Sequence, residues 1–352
     1  MTERDETRRL LERLEDVTAR LQAVEAALRE QVEGPPRRGM RARLRFWASP
    51  RLGELHQHAP QALRVPTWYL RADPPSPAPR ISIVTPSRQQ GRFIERTLYS
   101  VLSQGYPNLE YRVQDGGSDD GTLDVLRRYD GRLSGWASEP DSGQADALNR
   151  GFAATTGEIM AYLNSDDLLL PGALAHVASY FSAHPDVDAV YGHRVLIDEH
   201  DRQVGLWVLP PHDDRILALG DFVPQETLFW RRSAWERAGA RMDPTLHYAL
   251  DWDLLLRLSA SGARIVRLPR FLGAFRIHAS QKTQAPSRER DAEADRLRER
   301  SQERPMTSDE AYARVRPFLR RHVVHHTLAR VAARLPLPRT PVRTLPPGRA
   351  TD

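Results

Sequence analysis

Two short acidic runs carry the residue types from which a reactive site could be built: Asp115-Gly116-Gly117-Ser118-Asp119-Asp120-Gly121-Thr122 and Asn164-Ser165-Asp166-Asp167. Carboxylates crowded in one loop repel one another unless a cation or hydrogen-bond donors meet them. A hard divalent ion such as Mg²⁺ or Mn²⁺ takes one or two carboxylates and completes its shell with water and phosphate oxygens. Two such loops therefore point to a metal-bound nucleotide. The competing reading is that each loop is a capped turn, with Ser118, Asp119 or Asp120 as a helix N-cap and Gly116-Gly117 supplying turn geometry.

The elements that must position these loops follow from periodicity. The β-branched run Ile81-Ser82-Ile83-Val84 predicts a buried strand, and Phe93, Ile94, Thr97, Leu98, Val101 and Leu102 predict a helix after it. Strand, loop and helix then recur: strand 109–114 and helix 123–129; strand 133–137 and helix 142–154; strand 158–163 and a helix from near Pro171. The repeat predicts an α/β fold, a Rossmann-like, mainly parallel sheet with helices on both faces. In such a sheet ligands bind beyond the carboxyl ends of the strands, where both acidic loops fall. After Val187 the pattern changes to a hairpin-like pair, 189–197 and 204–209, and mixed elements.

Further motifs occur in order with these. Thr85-Pro86-Ser87, the Asp115 to Thr122 loop, Ser138-Glu139-Pro140-Asp141-Ser142-Gly143, Asn149-Arg150-Gly151, Gly157-Glu158 and Leu163-Asn164-Ser165-Asp166-Asp167 together resemble the motifs of glycosyltransferase family 2, with its GT-A fold, over about 81–283. The resemblance implies that Thr85 and Pro86 line the nucleotide pocket and that Asp115 accepts a hydrogen bond from the base, usually uracil. It implies that Asn164-Ser165-Asp166 fills the Asp-x-Asp position, Asp166 holding the metal that bridges the donor diphosphate with Asp167 beside it. Asp251, in Leu250-Asp251-Trp252-Asp253-Leu254, falls where the family places its general base, and Arg276 and His278 match a late motif that touches the diphosphate. Asp251 also begins a predicted helix, 251–258, so an N-cap role is the alternative. The chain departs from the family pattern at Asn164 (for the first Asp of Asp-x-Asp), at Gly116 (for a frequent second Asp) and at Leu250 (for an acidic neighbour of the base). It also lacks the Gln-x-x-Arg-Trp signature of processive polysaccharide synthases, so one sugar per encounter is expected.

Around this core, 352 residues imply about two domains, or one with appendages. Leu10, Leu14, Val17, Leu21, Val24 and Leu28 alternate steps of four and three, so 1–33 reads as a coiled-coil or amphipathic helix that could join two copies. Residues 34–80 read as a Pro-rich linker, 81–284 as the catalytic domain (81–185 nucleotide-sugar half, 186–284 acceptor half), 285–335 as a polar then basic helical extension, and 336–352 as a disordered tail. His322, His325 and His326 lie on that extension without the Glu of a metalloprotease motif, so a solvated basic face is expected there. The basic stretch 314–349, interleaved with Val315, Phe318, Leu319, Val323, Val324 and Leu328, reads either as resting on an anionic leaflet or as packing on the catalytic domain.

Composition narrows the function. No Cys excludes disulfides, thiolate metal sites and a Cys nucleophile; no apolar run long enough to span a bilayer and no apolar segment behind the charged N-terminus predict a cytoplasmic protein. A net charge of +5 is spread among interleaved acids, which argues against nucleic acid as partner. The expected activity is inverting, metal-dependent transfer of one sugar from a nucleoside-diphosphate sugar, UDP-linked, to a saccharide or lipid-linked saccharide acceptor in bacterial envelope or exopolysaccharide assembly. The alternatives are a non-catalytic nucleotide-sugar-binding partner and a sugar nucleotidyltransferase, whose Gly-rich, basic loop is absent from Thr85-Pro86-Ser87-Arg88-Gln89-Gln90-Gly91.

Overall fold

The computed structural model describes residues 52–281, 288–302, 306, 308–333 and 337–346. The expected coiled coil over 1–33 lies outside them. Strand β1 is Arg64–Pro66; β2 Ile81–Ser87, helix α1 Ile94–Leu102, β3 Leu109–Asp115, α2 Thr122–Tyr129, β4 Gly135–Ser138, α3 Gln144–Ala153 and β5 Ile159–Tyr162 then build the nucleotide half. Alternation works as expected: Ile81 and Ile83 face one apolar cluster with Ile94 and Leu98 of α1, whereas Val84 faces the other with Leu148 and Phe152 of α3.

The parallel registers fix the rim of the sheet. Ser87 of β2 pairs with Asp115 of β3, Asp115 pairs with Ser138 of β4, and Val84 pairs with Tyr162 of β5. The carboxyl ends of these strands are therefore level, and the loops after them share one edge. Beyond β5 come β6 (Leu168–Leu169), α4 (Ala173–Ala183), β7 (Ala189–Ile197), β8 (Gln203–Trp207), α5 (Asp214–Leu217), β9 (Phe229–Arg231), α6 (Arg232–Arg237), α7 (Leu250–Ala260) and β10 (Ile265–Arg276). The sheet runs β4-β3-β2-β5-β9-β7-β10-β6, with β8 on β7. The long ladders are parallel, as expected, and short antiparallel ones make the sheet mixed: β9 is antiparallel to both β5 and β7, and β6 is antiparallel to β10. The consequence is local. Pairing of Leu168 and Leu169 with Ala274 and Gly273 brings the end of β10 against the Asp166-Asp167 loop.

Both flanks are more ordered than their proline content suggests. The expected linker contributes β1, and the expected disordered tail contributes β11 (Arg339–Pro341), antiparallel to β1 with Val65 opposite Thr340. Leu63, Val65 and Tyr69 are buried against Leu168, Leu170 and Ala274, and Val342 N–H donates to the Leu63 carbonyl. Apolar residues between the prolines outweigh the lost backbone donors, and at a sheet edge those donors are not needed. The extension forms α8 (Arg288–Gln302) and α9 (Ser308–Ala332).

On α9 the solvated-histidine expectation is corrected. His322 and His326 are buried, their rings 5.4 Å apart, and His322 Nδ1 lies 2.5 Å from the Val208 carbonyl. Under α9, His193 Nδ1 accepts the Leu209 N–H at 3.2 Å, a bond that only a neutral ring with a free lone pair makes. Burial, with Arg267 and the neighbouring His325 and His322, pushes His193 down to about 3; burial likewise lowers His322. The folded state thus refuses protons that the unfolded chain takes up near pH 6.5. Stability is full above that pH and declines as pH falls towards 3, by about 1.4 kcal/mol per pH unit for each such histidine. Melting temperature measured from pH 7.5 to pH 5 should fall, and His193→Gln should flatten that fall; an unchanged slope would remove His193 as its source.

Candidate active site

The first acidic loop is held entirely from within. Asp115, at the end of β3, is fully buried, and its carboxylate accepts from Ser118 Oγ (2.6 Å), Ser118 N (2.9 Å), Gly117 N (3.1 Å) and Ser138 Oγ (2.6 Å). Each carboxylate oxygen is engaged, so this Asp holds its own turn in place instead of presenting a free acceptor. Asp120 accepts from Gly91 N (2.8 Å) and Thr122 Oγ1 (2.5 Å), tying the loop before α1 to the start of α2. Thr85 is buried with its hydroxyl 2.9 Å from that of Tyr111, and Pro86 is buried beside it. A Cβ at Gly116 would stand 2.8 Å from Asp141 Oδ2, so the carboxylate of Asp141 takes the space that a side chain at 116 would need.

The second loop is built to present one carboxylate. Thr97 of α1 donates its hydroxyl towards the carbonyls of Ser165 (2.9 Å) and Asp167 (2.8 Å), and Gln144 Nε2 donates to Asn164 Oδ1 at 2.8 Å. Asp167 is buried, and its Oδ1 accepts the backbone N–H of Arg276 at 2.9 Å. Burial pushes its carboxyl well above the ordinary range, with Asp166 and Glu226 adding to the rise. The expectation that Asp167 stands beside a metal is therefore corrected: it joins the loop to β10. Asp166 keeps 16% of its side chain exposed and accepts from His278 Nε2 at 3.0 Å; His278 Nδ1 is 2.8 Å from Ser280 Oγ.

Arg276 is likewise corrected from a diphosphate contact to an internal strut. It is fully buried, donating from Nε to the Asp166 carbonyl (2.7 Å), from Nη1 to the Asp198 carbonyl (3.2 Å), and to the Asp201 carboxylate; Nη2 finds no partner among the described residues. Asp166 thus reaches the rim, with buried His278 behind it as its hydrogen-bond partner. No group of three or more His, Asp or Glu fit to hold an ion occurs among the described residues. A hard divalent ion that takes only one or two protein ligands, with phosphate oxygens and water for the rest, fits the partly exposed Asp166 carboxylate.

The third centre lies at the start of α7. Residue 249, not Asp251, takes the N-cap position, and Asp251 sits in the first turn with its Oδ1 2.9 Å from Trp252 N. Asp251 remains partly open to solvent. Surrounding protein raises its carboxyl above the usual range; the Trp252 N–H and Arg194 pull the other way, and Glu226 adds to the rise. Asp221 reaches solvent yet is hemmed in by protein, and that enclosure followed by the charge of Asp251 raises it too. The cation of the cluster is Arg194, a bidentate partner of buried Glu226 at 2.8 and 2.6 Å, with its guanidinium 4.4 Å from the Phe275 ring centre and 5.1 Å from that of Trp207. Burial drives the phenol of Tyr162, at the end of β5, far upward, and the charges it feels are Asp251, Asp221, Asp167 and Glu226 in that order. The Asp166-Asp167 loop and Asp251 therefore share one electrostatic neighbourhood.

Arg194, Asp221 and Glu226 were not singled out in the sequence. Glu226 in Pro224-Gln225-Glu226-Thr227 has no spacing signature, although Asp221, a lone acid before Phe222-Val223, is a signal in retrospect. The arrangement offers a partly exposed carboxylate with histidine at the sheet rim, and a second carboxylate, made more basic by its surroundings, at a helix start nearby.

Comparison with known proteins agrees with this architecture. The family model for glycosyl transferase family 2 matches residues 82–230. A PGL/p-HBAD biosynthesis glycosyltransferase of Mycobacterium bovis is 30% identical over 196 residues, 54% of this chain and 73% of that protein. An uncharacterized glycosyltransferase of Nostoc is 28% identical over 213 residues, 57% of this chain and 66% of the other. Residues 1–349 of S. aureus TarS, solved in complex with UDP-GlcNAc, superpose with a TM-score of 0.53 at 18% identity over 73% of this chain and 76% of that one, a likeness of fold. With a GT-A type sheet, the ordered rim motifs and these relatives, the chain belongs to glycosyl transferase family 2 and is a glycosyltransferase.

Proposed function

We propose that this glycosyltransferase moves a single sugar from a nucleoside-diphosphate sugar, UDP-linked, to a hydroxyl of a saccharide or lipid-linked saccharide, inverting the anomeric centre. The observation that carries the reading is Asp251: partly open to solvent, made more basic by its surroundings, and acting on the same Tyr162 phenol as Asp167, the neighbour in sequence of the rim carboxylate Asp166. In this reading Asp251 takes the proton of the acceptor hydroxyl as that oxygen attacks the anomeric carbon from the face opposite the diphosphate. A single attack from that face inverts the centre through an oxocarbenium-like transition state. Arg194, paired with Glu226, opposes that rise by favouring the ionised form of Asp251. Asp166, steadied by His278, would hold a divalent ion, which when bound supplies charge stabilisation to the departing diphosphate.

The nucleotide base is assigned to the rim after β2 and β3, around Thr85, Pro86 and Asp115. Because Asp115 is saturated by Ser118, Gly117 and Ser138, any bond to uracil requires one of the serine hydroxyls to turn away. Dimerisation through 1–33, work at the inner face of a membrane, and service in bacterial envelope or exopolysaccharide assembly belong to the same proposal. No helix among the described residues is long and apolar enough to cross a membrane. Support for peripheral contact comes from α9, where Arg316, Arg320, Val324, Leu328 and Val331 recur every three or four residues and all are exposed.

Three measurements test these readings. A thermal-shift panel of UDP, GDP, dTDP and CMP with and without Mn²⁺ should show a metal-dependent rise with UDP alone; no rise with any of them removes the donor site. Asp251→Asn should lower turnover by roughly 10²–10⁴-fold with the UDP shift retained. In the parent, turnover should fall with decreasing pH through a limb above the ordinary carboxylate range. Co-sedimentation should retain the full chain on phosphatidylglycerol vesicles and not on phosphatidylcholine, and a Val324→Glu, Leu328→Glu double variant should lose retention.

A further inference from the structure

Helix α8 is mostly charged and polar, and as sequence it looks like a solvated connector. It is instead pinned to the two segments that carry the paired acids. Glu293 is fully buried, although Glu is a residue type almost never buried unpaired. Its carboxylate accepts three successive backbone N–H groups, from His247 (2.8 Å), Tyr248 (2.8 Å) and Ala249 (3.0 Å), the residues that lead into α7. On the same helix, Arg300 donates to Asp253 Oδ1 at 2.5 Å, and Asp253 is itself held by Arg257 Nε at 2.8 Å. Arg298 Nε donates to the Leu219 carbonyl at 2.9 Å, two residues before Asp221. Leu297 of α8 packs into the main core cluster between these contacts.

A helix start leaves backbone N–H groups unpaired, and ordinarily a local Ser, Thr or Asp meets them. Residue 249, in the N-cap position of α7, has no capping side chain, and Asp251, two residues further on, meets the Trp252 N–H. The segment that enters the helix, residues 247–249, is held instead by a carboxylate 44 residues beyond residue 249. The Trp252 N–H engages Oδ1 of Asp251, and the entry of its helix is held by α8.

We infer that α8 is a positioning strap of the active site: Glu293, with Arg300, fixes the start of α7 so that the Asp251 carboxylate stands at the acceptor hydroxyl, and catalysis depends on this helix although it lies outside the family-matched segment. The inference rests on Asp251 being the base. Small displacements of a reacting group are costly, since a misplacement on the order of 1 Å can lower a rate by ~10²-fold. Glu293 is a positioning residue that acts through Asp251, and it touches neither substrate.

The test uses the full chain and the variants Glu293→Gln, Arg300→Met, Asp251→Asn and the Asp251→Asn, Glu293→Gln double. Glu293→Gln keeps one acceptor oxygen and the side-chain volume; Arg300→Met leaves Glu293 in place and serves if Glu293→Gln fails to fold. Expected is a turnover loss of at least about tenfold in both single variants, with the UDP-induced thermal shift unchanged. In the double variant turnover should be no lower than in Asp251→Asn alone, because the strap has nothing left to position. Parental turnover in folded Glu293→Gln and Arg300→Met, with Asp251→Asn inactive, overturns the strap and leaves the base standing. Turnover retained in Asp251→Asn overturns the base itself. A lost UDP shift in the strap variants overturns the inference as well, since it marks a general loss of structure.

Discussion

The site depends first on one buried guanidinium. Arg276 is closed off from water, and the cost of removing that charge from solvent is offset by the Asp201 carboxylate and the carbonyls of Asp166 and Asp198. The partners come from two distant parts of the chain. The carbonyl of Asp166 is in the loop after β5, while Asp198 and Asp201 lie in the turn between β7 and β8. Asp201 in turn meets Arg96 of α1 at 3.1 Å and the Thr344 hydroxyl beyond β11 at 2.5 Å. An ion pair removed from solvent in this way specifies a geometry more than it adds stability, because losing any one partner strands the others. What it specifies here is where Asp166 and His278 stand.

The same division of labour runs through the acidic residues. Asp115, Asp167, Asp201 and Glu293 are fully or almost fully buried and are consumed by hydrogen bonds that hold loops; Asp166, Asp221 and Asp251 keep solvent contact. Chemistry at the rim needs carboxylates of the second kind, and the first kind keeps them in place. Electrostatics couples the two sets. Glu226 lies deep in the protein, bound to Arg194, and its charge still reaches Asp251 and Asp167. Acids close to one another raise each other's affinity for a proton, and Arg194 partly offsets this at Asp251 and Asp167.

The nucleotide half was legible from sequence because parallel strands buried on both faces read as β-branched runs, and the loops at their carboxyl ends carry Asp, Gly and Ser in fixed order. Ile81 to Val84 and Asp115 to Thr122 are local signals that need no knowledge of the rest of the chain. The second half was less legible. β9 inserts between β5 and β7 in the opposite direction, and a three-residue strand, Phe229–Arg231, has no periodicity long enough to announce that. The flanks misled for a different reason: proline content and polarity report on backbone donors and average solvation, and neither registers Leu63, Val65, His322 or Glu293 finding a partner far away in the chain.

Sequence alone determined the family and the order of the rim loops, and it nominated Asp166, Asp251 and His278, because each lies in a short motif whose residues are neighbours in the chain. Tertiary structure decided which carboxylates are free to react. Asp167 beside Asp166, Asp253 beside Asp251 and Arg276 beside His278 are of the right chemical type and differ from their neighbours only in which way the backbone turns them. Whether a charged group faces a buried N–H, an arginine or open solvent depends on segments that meet only after β6 pairs with β10 and α8 closes over the start of α7. Desolvation and hydrogen bonding set that difference, and both are properties of the folded contacts and not of residue type.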